Sequence, residues 1–191
     1  GNSTLIKIPF TGETILIDTG SSKNSDELVN FLKYKGIYKI DHLFITHFHE
    51  DHYGGYEKLK KNFKIKNIYT SKKINMIKTI ILKSGNKMKI GNINIKVLSA
   101  DRGDDNENNN GLVLEILIGK YKTLIMGDVE AVVENEIIKN VDSDVDLLLV
   151  GHHGSNTSST EKFIEKIKPK ISILSFGKNN KFGHPHKETI Y

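Results

Sequence analysis

The sequence predicts an α/β fold in which two β-sheets lie face to face and helices cover their outer surfaces. The main observation is that both halves of the chain show the same pattern. Each half carries a pair of apolar strands joined by a short turn and accompanied by helical patterns. The size agrees: 191 residues with 37% hydrophobic and 27% charged side chains make one ordinary globular domain with a full core. Both ends are abrupt, so we expect residues 1–191 to be a single domain excised from a longer chain.

The first half begins with a hairpin, because two apolar segments flank the turn Thr11-Gly12. A helix should follow from Ser25 and end at Gly36. After a buried strand over Ile40–Thr46, a second helix opens with Gly54-Gly55, and the lack of side chains lets it lie close to the sheet. The hairpin strands are Leu5–Ile8 and Glu13–Asp18, and the first helix is expected to carry Leu28, Phe31 and Leu32 on one face.

The rest of the chain alternates short apolar runs with helical patterns. The further predicted strands are Ile65–Thr70, Lys87–Ile90, Ile93–Ser99, Leu112–Ile118, Thr123–Met126, Val145–Val150 and Ile171–Phe176. The further predicted helices are a short one within Ser71–Leu82, one over Glu130–Asn140 and one after Asn156. Ser158 and Glu161 form a capping box for the last helix, which either serves only as a cap or leaves N–H groups for a phosphate oxygen.

Histidines and an acid are concentrated after the strand that ends at Thr46, in the order H-x-H-x-D-H. His47 and His49 are two positions apart on extended chain, so their side chains project to the same side. Asp51 and His52 fall on the tightening turn that follows. Three imidazoles and a carboxylate within six residues suit a divalent cation such as zinc or manganese, so this segment is predicted to be a metal site.

Composition narrows the ligands and the partners. The chain has no cysteine, so thiolate ligands and disulfide partners are excluded and the metal must lie among nitrogen and oxygen donors. The formal charge is +5, and twelve lysines face one acid, Glu57, between His52 and Ala100. This excess of lysine is typical of a surface that binds a polyanion. It also agrees with an AT-rich coding sequence, which favours lysine codons over arginine codons, because Arg102 is the only arginine. Lysine reads bases poorly, so DNA binding would be independent of sequence.

Several motifs together resemble the metallo-β-lactamase superfamily, and within it the ComEC-like domains of bacterial competence proteins. Besides H-x-H-x-D-H, the motifs that carry the resemblance are Ile17-Asp18-Thr19-Gly20, Met126-Gly127-Asp128, Gly151-His152-His153-Gly154-Ser155 and the segment from Phe176 to Pro185. They occur in family order over essentially the whole chain. The resemblance implies the superfamily's αββα sandwich, with two mixed sheets and a hydrolytic centre of one or two metal ions.

The resemblance also assigns roles to individual residues. It implies the metal ligands His47, His49, Asp51, His52, Asp128 and His153, with Asp128 bridging two ions. Successive side chains on extended backbone point opposite ways, so only one of His152 and His153 is expected to face the metal. His153 is favoured as the ligand and His152 as a supporting residue or phosphate contact, but the choice between them stays open. The residues expected to act in catalysis are Asp51, His152, His184 and Lys178, and those expected to support the site are Asp18, Asn110 and Ser155.

One family feature is missing, because no histidine lies between Tyr53 and Gly151, where many superfamily members place a third ligand. ComEC-like domains are similar in presenting Asn or Ser there, and Asn109-Asn110-Gly111 fits that position. The metal site is therefore expected to be completed by water or to be biased toward manganese, which accepts more oxygen ligands.

The sequence thus predicts a metal-dependent hydrolase that attacks a phosphodiester with metal-activated water. The resemblance implies a DNA nuclease of a competence protein, on the outer face of the plasma membrane and tied to the membrane only through its parent chain. Lys178 is expected to contact phosphate and His184 to protonate the leaving group. Two alternatives stay open: a small-ester hydrolase of the same superfamily (a lactonase, thioesterase or phosphorylcholine esterase), and a weakly catalytic DNA-binding module of a DNA channel.

Overall fold

The computed structural model describes residues 1–9, 11–73 and 77–190. The chain divides into two compact units, residues 1–82 and residues 83–191, and each is built around its own β-sheet. In the described part of the chain, no helix is long and apolar enough to cross a membrane.

The first unit contains a mixed sheet of five strands in the order β1-β2-β3-β4-β5. β1 and β2 form the predicted antiparallel hairpin, whereas β2, β3, β4 and β5 pair in parallel. The elements are β1 (Thr4–Lys7), β2 (Thr14–Ile17), α1 (Ser25–Tyr34), β3 (Lys39–Phe44), α2 (Glu50–Tyr53), α3 (Tyr56–Asn62), β4 (Lys64–Thr70) and β5 (Ile80–Ile81).

Helices α1 and α3 bury apolar side chains against one face of this sheet. Within α1 the buried apolar residues are Val29 and Leu32, whereas Phe31 is 47% exposed. The reason is geometric: Val29 and Leu32 are three positions apart and share one face of the helix, and Phe31 turns away from it. The helix ends where expected, with Gly36 at a φ of 70° just past its C-terminus.

The predicted helix within Ser71–Leu82 is contradicted in its second part. Ile80 and Ile81 form the edge strand β5, which pairs in parallel with Tyr69 and Thr70. Residues 74–76 of that segment lie outside the described residues. Isoleucine is a strong strand former, and the unpaired edge of β4 offers it hydrogen bonds that an isolated short helix lacks.

The second unit contains a mixed sheet of six strands in the order β11-β10-β9-β8-β7-β6. β6 to β9 form an antiparallel meander, and β10 and β11 add in parallel at the side of β9. The elements are β6 (Lys87–Ile90), β7 (Ile93–Ser99), β8 (Val113–Ile118), β9 (Tyr121–Ile125), α4 (Ala131–Ile137), β10 (Leu147–Leu149), α5 (Glu161–Ile167) and β11 (Ile171–Ile173). Two mixed sheets with helices confirm the predicted α/β class.

The core of the second unit lies between its sheet and the helices α4 and α5. Val133 and Ile137 of α4 and Phe163 and Ile167 of α5 are almost fully buried there. At about 25 cal/mol per Å² of buried apolar surface, each such side chain contributes about 1.5–3 kcal/mol relative to an exposed one. This packing holds the loops that precede α4 and α5, and those loops carry Asp128 and the paired histidines His152 and His153.

The start of α5 differs from the predicted capping box. Thr160, not Ser158, is the N-cap, and the Ser158 hydroxyl donates to the carbonyl of Gly151 instead. The carboxylate of Glu134, from α4, accepts hydrogen bonds from the backbone N–H groups of Ser159 and Thr160. These bonds tie the residues directly before α5 to α4. Whether the N–H groups of the first turn of α5 bind a phosphate oxygen stays a prediction.

Candidate metal centre

The H-x-H-x-D-H segment forms a compact group that we call the first histidine cluster: His47, His49, Asp51 and His52. It lies directly after β3, and the extended backbone there brings His47 Nε2 within 3.2 Å of His49 Nδ1. The rings of His47 and His52 lie with their centroids 4.2 Å apart, and both residues are fully buried. Asp51 is partly exposed, with Oδ2 3.9 Å from His52 Nε2.

Asp18 and Thr46 hold the first histidine cluster from behind. Asp18, at the end of β2, places Oδ2 2.7 Å from His52 Nδ1 and accepts the Thr46 N–H with Oδ1, also at 2.7 Å. The Thr46 hydroxyl donates to Asp18 Oδ2 and lies 3.2 Å from His47 Nδ1. A carboxylate on one ring nitrogen fixes the tautomer and leaves the other nitrogen, here His52 Nε2, to bind a ligand. The sequence pointed to Asp18 but not to Thr46, because threonine there reads as an ordinary strand residue.

The glycine pair behaves as expected from its sequence. A Cβ on Gly55 would stand 2.3 Å from the Thr19 carbonyl oxygen, so only glycine permits this approach. Across the same contact the Thr19 N–H donates to the His52 carbonyl at 2.7 Å, and the Gly55 N–H donates to the Gly20 carbonyl at 3.0 Å. These bonds lock the loop that carries Asp18 against the loop that carries the histidines.

The donor geometry of the first histidine cluster fits a divalent cation. Two nitrogens bound to one tetrahedral zinc at about 2.0–2.1 Å lie roughly 3.3 Å apart. The 3.2 Å between His47 Nε2 and His49 Nδ1 matches that span. Imidazole nitrogen with carboxylate oxygen is also the donor set that zinc and manganese accept.

The second unit holds a second histidine cluster: Asp128, His152, His153, His184 and His186. Asp128 follows β9 and is buried, and its Oδ2 lies 3.5 Å from His153 Nε2. The other ring nitrogen of His153, Nδ1, donates to the Ser175 carbonyl at 2.7 Å. That bond places the proton on Nδ1 and directs the lone pair of Nε2 toward Asp128, the arrangement expected of a metal ligand.

His152 points elsewhere, although not for the reason the sequence indicated. His152 and His153 are not extended but both left-handed, with φ angles of 47° and 53°. The Nδ1 atom of His152 lies 3.2 Å from the Thr157 hydroxyl and 3.5 Å from Glu130 Oε1. Left-handed backbone at two successive non-glycine residues is uncommon and persists only where the surroundings enforce it.

A polar network around Glu130 enforces the position of His152. Glu130 Oε1 accepts from the Thr157 hydroxyl at 3.0 Å, and Oε2 accepts from the Asn106 side chain at 3.0 Å. Ser155, one of the predicted supporting residues, contacts Thr157 through its hydroxyl at 3.0 Å. Glu130 and Thr157 were missed, since a lone Glu before a helix reads as a cap. Their only sequence signal is the nearness of Glu130 to Gly127-Asp128.

The asparagine-rich loop contributes a different residue from the one expected. Asn110 is buried and organises its own loop, accepting the N–H groups of Arg102 and Asp104 and donating to the Asp104 carbonyl. The asparagine next to the second histidine cluster is Asn108, whose Nδ2 lies 3.4 Å from His152 Nε2. Within the described residues, the buried Oδ1 of Asn108 has no hydrogen-bond partner, so it is the oxygen donor this loop offers to a ligand.

The loop before and around His184 is held by one side chain. Asn180 accepts the N–H groups of Phe182 and His184 at 3.2 and 2.9 Å, and it donates to the carbonyls of Gly177 and His184. The His184 ring lies 5.6 Å from that of His152, measured between centroids. Lys178, the predicted phosphate contact, is exposed on the same loop.

The surroundings of His184 and His186 affect the proton-transfer role that is predicted for this loop. Burial, together with the positive charge of the neighbouring histidines, holds the pKa of His184 below its ordinary value of 6.5. Its ring is therefore mainly neutral at pH 7, so a role as proton donor requires a nearby anion to raise the pKa. His186, on the same loop, is partly buried and accepts the Asn156 N–H at 3.1 Å through Nδ1.

A family model described as the metallo-β-lactamase superfamily matches residues 1–178. The chain belongs to this superfamily. Members of the metallo-β-lactamase superfamily are hydrolases that depend on a divalent metal ion, usually zinc. The histidine and carboxylate donors of the two clusters agree with this dependence.

Three curated relatives confirm the narrower resemblance to competence proteins. ComE operon protein 3 of Bacillus subtilis is 32% identical over 225 aligned residues, covering 100% of this chain and 29% of that protein. Recombination protein 2 of Haemophilus influenzae is 30% identical over 92% of this chain and 23% of its own length. Competence protein ComA of Neisseria gonorrhoeae is 25% identical, over 97% and 27% respectively. The chain thus spans less than a third of the length of these relatives.

Solved structures support the fold. A mutant of the CmlA β-hydroxylase aligns with a TM-score of 0.63 and 14% identity, over 89% of this chain and 43% of that one. The metallo-β-lactamase SMB-1 aligns with a TM-score of 0.58 and 16% identity, over 80% and 74% respectively. The predicted metallo-β-lactamase-like fold is confirmed.

Proposed function

We propose that this chain is a metal-dependent phosphodiester hydrolase that cleaves DNA as part of a competence protein. The observation that carries the proposal is the alignment of the whole chain, at 32% identity, with ComE operon protein 3. A competence protein acts in DNA uptake, and a hydrolase domain within it has DNA as its nearest phosphodiester substrate. The twelve lysines between His52 and Ala100 supply the positive charge that a sequence-independent DNA contact needs.

The proposed metal ligands are the nitrogen and oxygen donors that the resemblance to the superfamily implies. They are His47, His49, Asp51, His52, Asp128 and His153, with Asn108 as a further oxygen donor. A bound zinc or manganese ion lowers the pKa of water to about 7 and so supplies hydroxide at neutral pH. Asp18 keeps His52 in the tautomer that a metal ligand needs, since it holds Nδ1 at 2.7 Å.

The remaining side chains act on the phosphodiester. Lys178 neutralises charge on a non-bridging phosphate oxygen, because it is an exposed cation on the loop that carries His184. His184 transfers the proton to the departing oxygen, and the negative charge of the bound phosphate raises its pKa from the lowered value of the free protein. Glu130 and Thr157 orient His152 toward the substrate through Nδ1.

The first test is cleavage of linear and plasmid DNA by the purified chain with Mn²⁺ or Zn²⁺. His47→Ala and Asp51→Ala are each expected to lower turnover at least about 100-fold, since even residues that only support ligands lose about 10–100-fold when mutated. His42→Ala is the matched control, because His42 is a partly buried histidine of the same unit that contacts the Tyr69 hydroxyl instead. It should cleave as the wild type does.

The alternatives give different results in the same assay. Cleavage of a p-nitrophenyl ester or a lactone, with DNA left intact, identifies a small-ester hydrolase. DNA binding without cleavage at any metal identifies a binding module. Unchanged DNA cleavage in the His47→Ala or Asp51→Ala chain removes the proposed ligands.

A further inference from the structure

An exposed aromatic ring lies on the loop that carries His184. Phe182 is 65% exposed, although a phenylalanine gains free energy from burial. It is part of the segment Phe176–Pro185, in which the proposed function uses Lys178 and His184 but gives Phe182 no role. Its ring is exposed beside His184, so the ring is accessible to a ligand that binds at this loop.

The ring is held in place. The Asn180 side chain accepts the Phe182 N–H at 3.2 Å and the His184 N–H at 2.9 Å, which fixes the backbone on both sides of Gly183. The following turn is tied to the paired-histidine loop, where the His186 N–H donates to the Gly154 carbonyl at 2.9 Å. Since these hydrogen bonds fix the loop, Phe182 is already exposed in the folded protein without a ligand. A ligand that binds Phe182 therefore loses little free energy in ordering the loop.

The surroundings of the ring suit a nucleotide. Phe182 lies nearly parallel to His184, with centroids 5.7 Å apart and an angle of 27° between the rings. The Lys181 Nζ atom lies 5.2 Å from the Phe182 centroid. Between Phe176 and Ile190 the chain carries Lys178, Lys181 and Lys187 against the single acid Glu188. An aromatic ring with one ammonium group beside it, on a loop rich in lysine, suits a base and its neighbouring phosphate.

We propose that Phe182 is a stacking platform for an unpaired nucleobase of the substrate. This inference rests on the proposed function and deepens it, because it names the substrate class: single-stranded DNA or a frayed end. A paired base inside a duplex has both faces covered by its neighbours, so only an unpaired base offers a face to Phe182. The stacked base places its phosphate beside Lys181, whose exposed stem lets the ammonium turn from the ring to the phosphate.

The test measures the affinity of the whole chain for a short single-stranded oligonucleotide without metal, by fluorescence anisotropy. Phe182→Leu is expected to weaken binding about 5- to 100-fold, the range of base–aromatic stacking, whereas Phe182→Trp should bind at least as well as the wild type. The affinity for a blunt duplex of the same sequence should fall by less than about 3-fold in the Phe182→Leu variant, since duplex binding comes mainly from phosphate contacts. Circular dichroism checks that the variants are folded.

A matched control exists elsewhere in the second unit. Tyr121, the first residue of β9, is 59% exposed and has the Lys120 Nζ atom 5.6 Å from its ring centroid. Tyr121→Leu removes a similar aromatic–lysine pair and should leave single-strand affinity unchanged. An equal loss in both variants would mean that exposed rings bind DNA nonspecifically, and it would overturn the role of Phe182.

A substrate with one abasic position gives the sharper readout. A strand without abasic positions should be cleaved more slowly by the Phe182→Leu variant than by the wild type. This difference in rate should vanish when the nucleotide that stacks on Phe182 is replaced by an abasic one. Equal affinity of Phe182→Leu and wild type for the strand without abasic positions overturns this inference while the hydrolase proposal stands. Failure of the wild-type chain to bind or cleave any DNA overturns both.

Discussion

The two histidine clusters are built in opposite ways. In the first, four candidate ligands lie within six positions, directly after a buried strand, and two of them, His47 and His52, are fully buried. In the second, the candidate residues extend from Asp128 to His186 and are joined by contacts between distant positions. The His153 to Ser175 and Asn108 to His152 contacts, for instance, span 22 and 44 positions.

The supporting residues differ in the same way. Asp18 and Thr46 form a short, closed set of hydrogen bonds at neighbouring strand ends of one sheet. Around His152, by contrast, Glu130, Thr157 and Asn108 come from three separate loops and hold left-handed backbone. The difference teaches that one candidate site can be specified by a local motif, whereas another is assembled by tertiary packing from distant positions.

The largest expected effect is on the first cluster. Asp18→Asn should lower metal affinity about 10–100-fold, because an amide no longer holds the His52 Nδ1 proton as a carboxylate does. Titration of the purified chain with Mn²⁺ or Zn²⁺ against a competing chelator measures the change. Asp26→Asn is the control, since its carboxylate pairs with Lys58 on the surface of the same unit. Equal metal affinity of the Asp18→Asn variant and the wild type would show that Asp18 does not support metal binding.

A second prediction concerns stability near the second cluster. Glu134→Ala leaves the N–H groups of Ser159 and Thr160 without their acceptor, so the free energy of unfolding should fall by about 1–3 kcal/mol. Urea unfolding measures it. Glu136→Ala, an exposed position of the same helix, should change stability by less than about 1 kcal/mol.

The effect of Glu134 should depend on pH in a known direction. Burial raises the pKa of Glu134 above its ordinary value of 4.5, against the hydrogen bonds from Thr160 and Ser159 that lower it. A raised pKa means that the folded state binds the proton more tightly than the unfolded state. The corresponding stability is fully present below the unfolded pKa and is lost as pH rises through the folded one. The advantage of wild type over Glu134→Ala should therefore shrink from pH 4 to pH 7, and a growing advantage would contradict the assignment.

The smallest expected effect separates the two clusters directly. Glu130→Gln should leave metal affinity within about 2-fold, because Glu130 contacts His152 and not His153. The turnover number for DNA should nevertheless fall by about 3- to 10-fold, since His152 loses the carboxylate that orients it. Measuring both quantities on one preparation checks the prediction. A parallel loss of metal affinity would make His152 part of the metal site.

Much of this molecule was readable from short-range patterns. Alternating and continuous apolar runs predicted both hairpins, the strand that carries the histidines and the parallel strand before the paired histidines. The spacing of His47, His49, Asp51 and His52 predicted a metal site, and the ordered motifs predicted the superfamily. All of these signals act over a few residues, where backbone geometry alone decides which side chains share a face.

Tertiary packing decided the rest. Which asparagine meets His152, which nitrogen of each histidine is held, and which acid binds the N–H groups of Ser159 and Thr160 depend on residues many positions away. The exposure of Phe31 and of Phe182 also follows from what the folded chain packs against, not from hydrophobicity. Local sequence therefore determined the kind of chemistry, whereas the long-range contacts of the folded chain determined which atoms are positioned to perform it.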